Sequence, residues 1–168
     1  MRAMFKQPLL LATLALGLTA GFSSNAHAKV YVEAGLTDIS SDVNNLDLNH
    51  LGVIGVVGST LSKNGDVSHK VEGIGGFGLS GDDIGNVNVK LQHFVGGAYR
   101  PTLRLNDVVD VYGRVGLFHT SAKASSGSRS YTESGTDAGF GFGADIYSFS
   151  VSFLTIDNTN FLSVTYKF

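Results

Sequence analysis

FLSVTYKF, residues 161–168, sets the reading of the whole chain. Leu162, Val164, Tyr166 and Phe168 fall on one parity, and Ser163, Thr165 and Lys167 on the other. A period of two places alternate side chains on opposite faces of a β-strand, so this stretch has one apolar face and one polar face. The same alternation recurs upstream. Phe149, Val151 and Phe153 alternate with Ser150 and Ser152. Ala138, Phe140, Phe142, Ala144 and Ile146 alternate with Asp137, Gly139, Gly141, Gly143 and Asp145. Val109, Val111, Val115 and Leu117 oppose Asp110, Tyr112, Arg114 and Gly116. Val87, Val89, Leu91, Val95 and Tyr99 oppose Asn88, Lys90, Gln92 and Arg100. Val30, Val32, Ala34 and Leu36 oppose Tyr31, Glu33, Gly35 and Thr37.

Two further segments alternate less cleanly. Residues 50–61 (HLGVIGVVGSTL) are apolar on both faces, which specifies register weakly. In residues 67–79, Val71, Phe77 and Leu79 oppose Lys70 and Glu72, with glycines between. Long polar loops are expected at 38–48, 80–86 and 122–135, and a short one at 157–160. Tighter connections are expected at 62–66, 101–107 and 145–148. Asn64-Gly65 is a hairpin dipeptide, because a type I′ turn needs φ > 0 at both central residues. The expectation is an all-β chain of eight antiparallel strands in an up-and-down meander, with both termini at one end.

Composition narrows the class. Of 168 residues 43% are hydrophobic and only 15% charged; glycine numbers 22 and cysteine is absent. No disulfide framework or thiolate metal site can form. A formal net charge of −2 argues against a nucleic-acid partner. Residues 1–28 read as a secretory signal peptide. Arg2 and Lys6 form a positive start, LLLATLALGL at 9–18 an apolar run, and Ala26-His27-Ala28 a cleavage site. The run is too short to span hydrocarbon about 30 Å thick. The 168 residues less these 28 leave 140, residues 29–168, as one domain.

Which face meets solvent decides between a soluble β-barrel and its inverse. A membrane barrel turns an apolar band outward and polar groups inward. Unpaired backbone N–H and C=O groups in hydrocarbon cost several kcal/mol each, which forces a spanning sheet to close on itself. Here the polar parity is glycine-rich and carries charges of both signs. Tyr99, Tyr166 and Phe168 sit near strand ends on the apolar parity, as an interfacial girdle requires. The fold expected is an eight-stranded antiparallel up-and-down transmembrane β-barrel.

The terminal Tyr166-Lys167-Phe168, with Leu51-Gly52-Val53-Ile54-Gly55, Gly97-Ala98-Tyr99-Arg100 and Val111-Tyr112-Gly113-Arg114-Val115-Gly116, resembles the small Gram-negative outer-membrane β-barrels of the OmpX/Ail/Lom family and the wider OmpA-like porin-family barrel domain. That resemblance implies a monomer in the cell outer membrane. Its implied partners are outer-membrane lipid and lipopolysaccharide, the barrel-assembly machinery, and host or environmental surface ligands. It implies a structural and surface-interaction role: envelope integrity, or adhesion and resistance through external loops. The second strand, apolar on both faces, and the short last hairpin loop depart from the family pattern.

The polar parity sends five acids, Glu33, Glu72, Asp110, Asp137 and Asp145, and five bases, Lys70, Lys90, Arg100, Arg114 and Lys167, into the lumen. Buried charges must pair, and eight strands enclose a space that side chains can fill. A charge-plugged lumen is therefore expected, with Glu72, Arg114 and Lys90 near its midplane. The alternative is a small passive or gated channel. A third reading is a lipid-modifying enzyme. His119-Thr120-Ser121 followed by Glu133 resembles the His-x-Ser and Glu set of the outer-membrane lipid A deacylases, a nucleophile, base and orienter. The His-x-Ser sits elsewhere in that family, so no enzyme, cofactor or metal site is assigned. Asp42, Asp47, Asp82 and Asp83 lack calcium-loop spacing. The exposed 122–136 segment is the expected contact surface, through Lys123, Arg129 and Tyr131; Lys123 and Arg129 suit lipopolysaccharide phosphates.

Overall fold

The computed structural model describes residues 29–43 and 46–168. The expected signal peptide lies outside the described residues. Strands run β1 (Val30–Val43), β2 (Leu46–Asn64), β3 (Val67–Gly78), β4 (Asp82–Ile84), β5 (Val87–Arg104), β6 (Val109–Ser126), β7 (Arg129–Ile146), β8 (Phe149–Ile156) and β9 (Thr159–Lys167). All pair antiparallel in the order β3-β2-β1-β9-β8-β7-β6-β5-β4, and β3 also pairs β5. The last pairing closes a ring of eight long strands; β4, three residues long, rides on the upper end of β5. First and last strands meet from Glu33↔Lys167 to Ser41↔Thr159.

The two parities separate as a bilayer demands. Leu36, Leu117, Phe140, Phe142, Leu162 and Val164 are each more than half exposed, around the outside of the ring. Tyr166 packs edge-on against Phe149 and Phe168 at the end where the chain terminates. That end also carries the short turns after β2, β5 and β7, so it faces the periplasm. The turn after β2 is tighter than expected. Asn64 pairs with Val67, and Gly65, at φ 59°, leads the two-residue turn.

Two expected loops are strands instead. β1 and β2 pair out to Val43↔Leu46, and β6 and β7 out to Ser126↔Arg129, so residues 38–43 with 46–48, and the segment 122–135, form two-stranded ribbons. Their Ser, Asn and Gly content reads as loop, but the ladder hydrogen bonds continue past the membrane. The third long connection, 80–86, contains β4.

The doubly apolar second strand resolves into Leu51, Val53 and Val57 outside and Ile54 and Val56 inside. Its inner residues join Ile39, Ile74, Leu91, Phe94, Phe118, Leu154, Ile156 and Phe161 in one buried cluster within the lumen. Phe94 and Phe161 pack with ring centroids 4.6 Å apart. Facing glycines make room for the rings: a Cβ at Gly96 or Gly139 would overlap Phe118, and one at Gly76 would overlap Phe94. The interior is therefore not polar throughout, as the sequence pattern led one to expect. Eight strands leave a space that side chains can fill, and side chains packed there obey the rules of a protein core.

Candidate functional site: the lumen and the extracellular ribbon

Beneath the apolar cluster lies an ion-pair network. Arg100, fully buried, is its hub. Its guanidinium reaches Glu72 Oε1 at 2.7 Å, Asp145 Oδ2 at 2.7 Å and Glu33 Oε1 at 3.3 Å. Arg114 Nε donates to Glu72 Oε2 at 2.6 Å. Lys167 Nζ lies 2.6 Å from Asp145 Oδ2 and 3.6 Å from Glu33 Oε1. Three carboxylates and three cations thus cancel, drawn from β1, β3, β5, β6, β7 and β9.

Neutral donors complete the arrangement. Tyr31 Oη donates to Glu72 Oε1 at 2.6 Å and Thr165 Oγ1 to Glu33 Oε2 at 2.9 Å. The Arg100 guanidinium stacks 3.4 Å over the Tyr112 ring, whose hydroxyl pairs with Ser150 Oγ at 2.7 Å. Gly58 and Gly143 leave the space these rings occupy, since a Cβ at either would overlap Tyr31 or Tyr112. Tyr31 and Tyr112 share the parity of Glu33 and Arg114, so the alternation pointed to them; their bonding roles needed the cross-lumen geometry.

The remaining expected lumen charges divide. Lys70 lies at the network's edge, 5.4 Å from the Tyr31 ring centroid. Asp110 pairs with Arg104 at 3.5 Å in the periplasmic mouth, a partner absent from the sequence reading. Asp137 pairs across the ladder with Phe118, away from the network. Lys90 is a correction. A bulge between Leu91 and His93 reverses the parity of β5, so Leu91 enters the apolar cluster and Lys90 turns outward, donating to the Leu79 carbonyl at 3.3 Å.

The bulge also orders the extracellular ribbon. Lys90 pairs with Lys123, and Lys123 with Thr132, on its outward face. Ala122 pairs with Glu133, Ala124 with Tyr131 and Ser126 with Arg129 on the other face. Lys123 is therefore separated from Arg129 and Tyr131, with which the sequence reading grouped it. The same split bears on the catalytic reading. His119 and Ser121 face outward, where His119 Nδ1 contacts Thr136 Oγ1 at 3.0 Å and Ser121 Oγ contacts Gln92 Oε1 at 3.4 Å. Glu133 sits on the opposite face, so no nucleophile–base–orienter chain forms. Among the described residues no group of three or more His, Asp or Glu side chains is placed to hold a metal ion.

One edge of the ribbon is open. β7 pairs with β8 only from Gly139↔Ile156 downward, and the β8–β9 turn is short. The backbone of Arg129–Ala138 therefore has no ladder partner on that side.

Comparison with known proteins agrees with this architecture. No curated protein matches the sequence. Several solved structures share the fold, among them the following three. Ail, the attachment invasion locus protein of Yersinia pestis, is 18% identical, covering 83% of this chain and 97% of its own, with a TM-score of 0.59. Neisserial surface protein A is 13% identical, with coverages of 83% and 97% and a TM-score of 0.63. The N-terminal β-barrel domain of Pseudomonas aeruginosa OprF is 15% identical, with coverages of 84% and 100% and a TM-score of 0.51. The profile of the outer membrane protein beta-barrel domain matches residues 9–161. The chain belongs to that family and is a β-barrel of the cell outer membrane.

Proposed function

We propose that this protein is a non-conducting, non-enzymatic barrel that acts at the cell surface through its β6–β7 ribbon. The carrying observation is the open edge of β7, Arg129–Ala138, which stands above the β8–β9 turn. Ten residues of strand reach about 33 Å along the chain. Unpaired N–H and C=O groups in a row accept an added strand from another protein, and Tyr131, 69% exposed, supplies an aromatic anchor beside that edge. The likeness to Ail, the attachment invasion locus protein, supports the same reading.

Replacing residues 120–135 by a two-residue turn, which joins the ladder partners His119 and Thr136, removes most of the open edge and leaves the ion-pair network intact. Bacteria carrying the shortened protein should lose binding to immobilised extracellular-matrix protein while the barrel keeps its heat-modifiable gel mobility. Undiminished binding contradicts the proposal.

A channel is the second reading, favoured by the charged lower lumen, where Lys167 keeps a quarter of its side chain exposed at the periplasmic mouth. The apolar cluster above weighs against it, because its Ile, Leu, Val and Phe side chains offer ions and water no hydrogen-bonding groups. The wild-type barrel should be silent in planar bilayers, and regular conductance steps would favour the channel.

A further inference from the structure

The His119 ring lacks a catalytic carboxylate but not a second imidazole. It belongs to the outward face of β6, which runs from Val109 to His119 before polar residues take over. Ten residues at about 3.3 Å each, tilted about 40°, rise about 25 Å, the height of a barrel's apolar band. His119 therefore stands at the extracellular membrane boundary, within reach of ions in the medium. Its ring and that of His93 on β5 are both exposed, with centroids 6.4 Å apart and planes tilted by 40°.

The bulge in β5 sets this pairing up. Below it the ladder runs Val95↔His119 and His93↔Ser121; above it Leu91 pairs with Ala122, so Gln92 is the extra residue. A bulge seats two residues against one and re-aims their side chains, here Gln92 and His93 against Ser121. Gln92 Oε1 accepts from Ser121 Oγ at 3.4 Å, which holds the amide oxygen on the face of the two rings. His119 is steadied from the other side, where Nδ1 lies 3.0 Å from Thr136 Oγ1. In the tautomer that donates this bond, Nε2 keeps its lone pair. A hydrogen bond on the far ring nitrogen is what orients a metal-ligating histidine.

The surroundings select the ion. Glu133 lies on the opposite face of the ribbon and Asp137 on the inner parity of β7. Lys90 turns its ammonium to the Leu79 carbonyl at 3.3 Å, away from the rings, while Lys123 adds a positive charge one row above Ser121. Binding here rests on metal–nitrogen bonds rather than on charge. Ca²⁺ and Mg²⁺ need carboxylates and several oxygens. Neutral imidazoles suit Zn²⁺, Cu²⁺ and Ni²⁺. Metal–nitrogen bonds of about 2.0–2.1 Å place two imidazole centroids roughly 5–6 Å apart around one ion. Closing from 6.4 Å takes a small swing of the exposed rings.

We infer that His93 and His119 hold a divalent transition-metal ion, with Gln92 Oε1 and water completing its coordination. The ion ties β5 to β6 where the bulge interrupts their ladder, at the foot of the extracellular ribbon. The site does not depend on what the open β7 edge binds.

The test titrates Zn²⁺ into the untagged, folded barrel in phosphatidylcholine nanodiscs, followed by calorimetry. Wild type should take up one ion. His93→Ala and His119→Ala should each weaken binding at least about 10-fold, the floor set by losing even an outer hydrogen-bond partner of a ligand. Both side chains point outward, so heat-modifiable mobility should be unchanged. His69→Ala, which removes the ring engaged by the Tyr99 hydroxyl on the far part of β3, should bind Zn²⁺ as wild type does. A large excess of Mg²⁺ should not displace the ion. With Cu²⁺ as the probe, electron paramagnetic resonance of the wild type should show coupling to two imidazole nitrogens. Either histidine variant binding like wild type, displacement by Mg²⁺, or coupling to fewer than two imidazoles overturns the assignment.

Discussion

The two halves of the lumen are filled by opposite chemistry. On each strand that supplies both kinds, the apolar residue lies nearer the outside of the cell. This holds for Ile39 above Glu33, Ile74 above Glu72, Phe94 above Arg100, Phe118 above Arg114, and Phe161 above Thr165. The lower half ties six strands together through three acids and three bases; the upper half is mainly a cluster of Ile, Leu, Val and Phe, with His50 buried at the level of Ile39. Nothing about an inward position dictates polarity once the side chains of the facing strands meet across the lumen. The ionic half is sensitive to losing a partner, since each buried charge depends on the others. The apolar half is sensitive to volume, because packing is all that holds it.

Breaking the ionic half should give the largest effect. Arg100→Ala leaves Glu33, Glu72 and Asp145 facing one another without their shared cation, at a cost of about 3–5 kcal/mol. The urea midpoint of unfolding, followed by heat-modifiable mobility, should fall accordingly; an unchanged midpoint would mean the network is ornamental. Phe118→Ala empties the middle of the apolar half at a cost of about 3 kcal/mol. Paired with Phe94→Ala it should also let the barrel conduct in planar bilayers, while Glu72→Gln with the apolar half intact should not. The reverse pattern would move the barrier to the ion pairs.

A smaller loss is expected on the facing wall. Gly139→Ala, where a Cβ meets the Phe118 ring and Ile156, should cost about 1–3 kcal/mol through overpacking. Smallest of all, Asp157 holds φ 50° in the extracellular β8–β9 turn, outside both halves. Asp157→Gly should raise stability by up to about 1 kcal/mol, and a loss would show that its side chain is needed there.

The outer surface was legible in the sequence because the bilayer imposes one rule on every strand. Leu36, Val115, Phe140, Phe142, Leu162 and Val164 all fall where a period of two puts them. The lumen was legible only in part. Glu33, Glu72, Arg100, Arg114, Asp145 and Lys167 follow from the same parity, but their pairing depends on how strands far apart in sequence are staggered around a closed ring. Lys90 was misassigned because the bulge at Leu91 and His93 carries no glycine to mark it. The apolar half was hidden for another reason. Phe94 and Phe118 occupy the parity expected to be polar, while Ile54 and Val56 belong to a strand apolar on both faces, and alternation alone cannot separate an inner apolar layer from a doubly greasy strand. The ribbon at 122–135 was hidden by composition, since serine and glycine signal loop where β6 and β7 keep pairing.

Everything rests on which side chains touch acyl chains, and the absence of tryptophan from this protein makes that directly measurable. Single tryptophans introduced as Leu117→Trp, Phe140→Trp and Phe94→Trp report their surroundings when the folded barrel is placed in lipids brominated along the acyl chain. The account predicts strong quenching at 117 and 140 and little at 94. Strong quenching at 94 with bright, unquenched signals at 117 and 140 would contradict it.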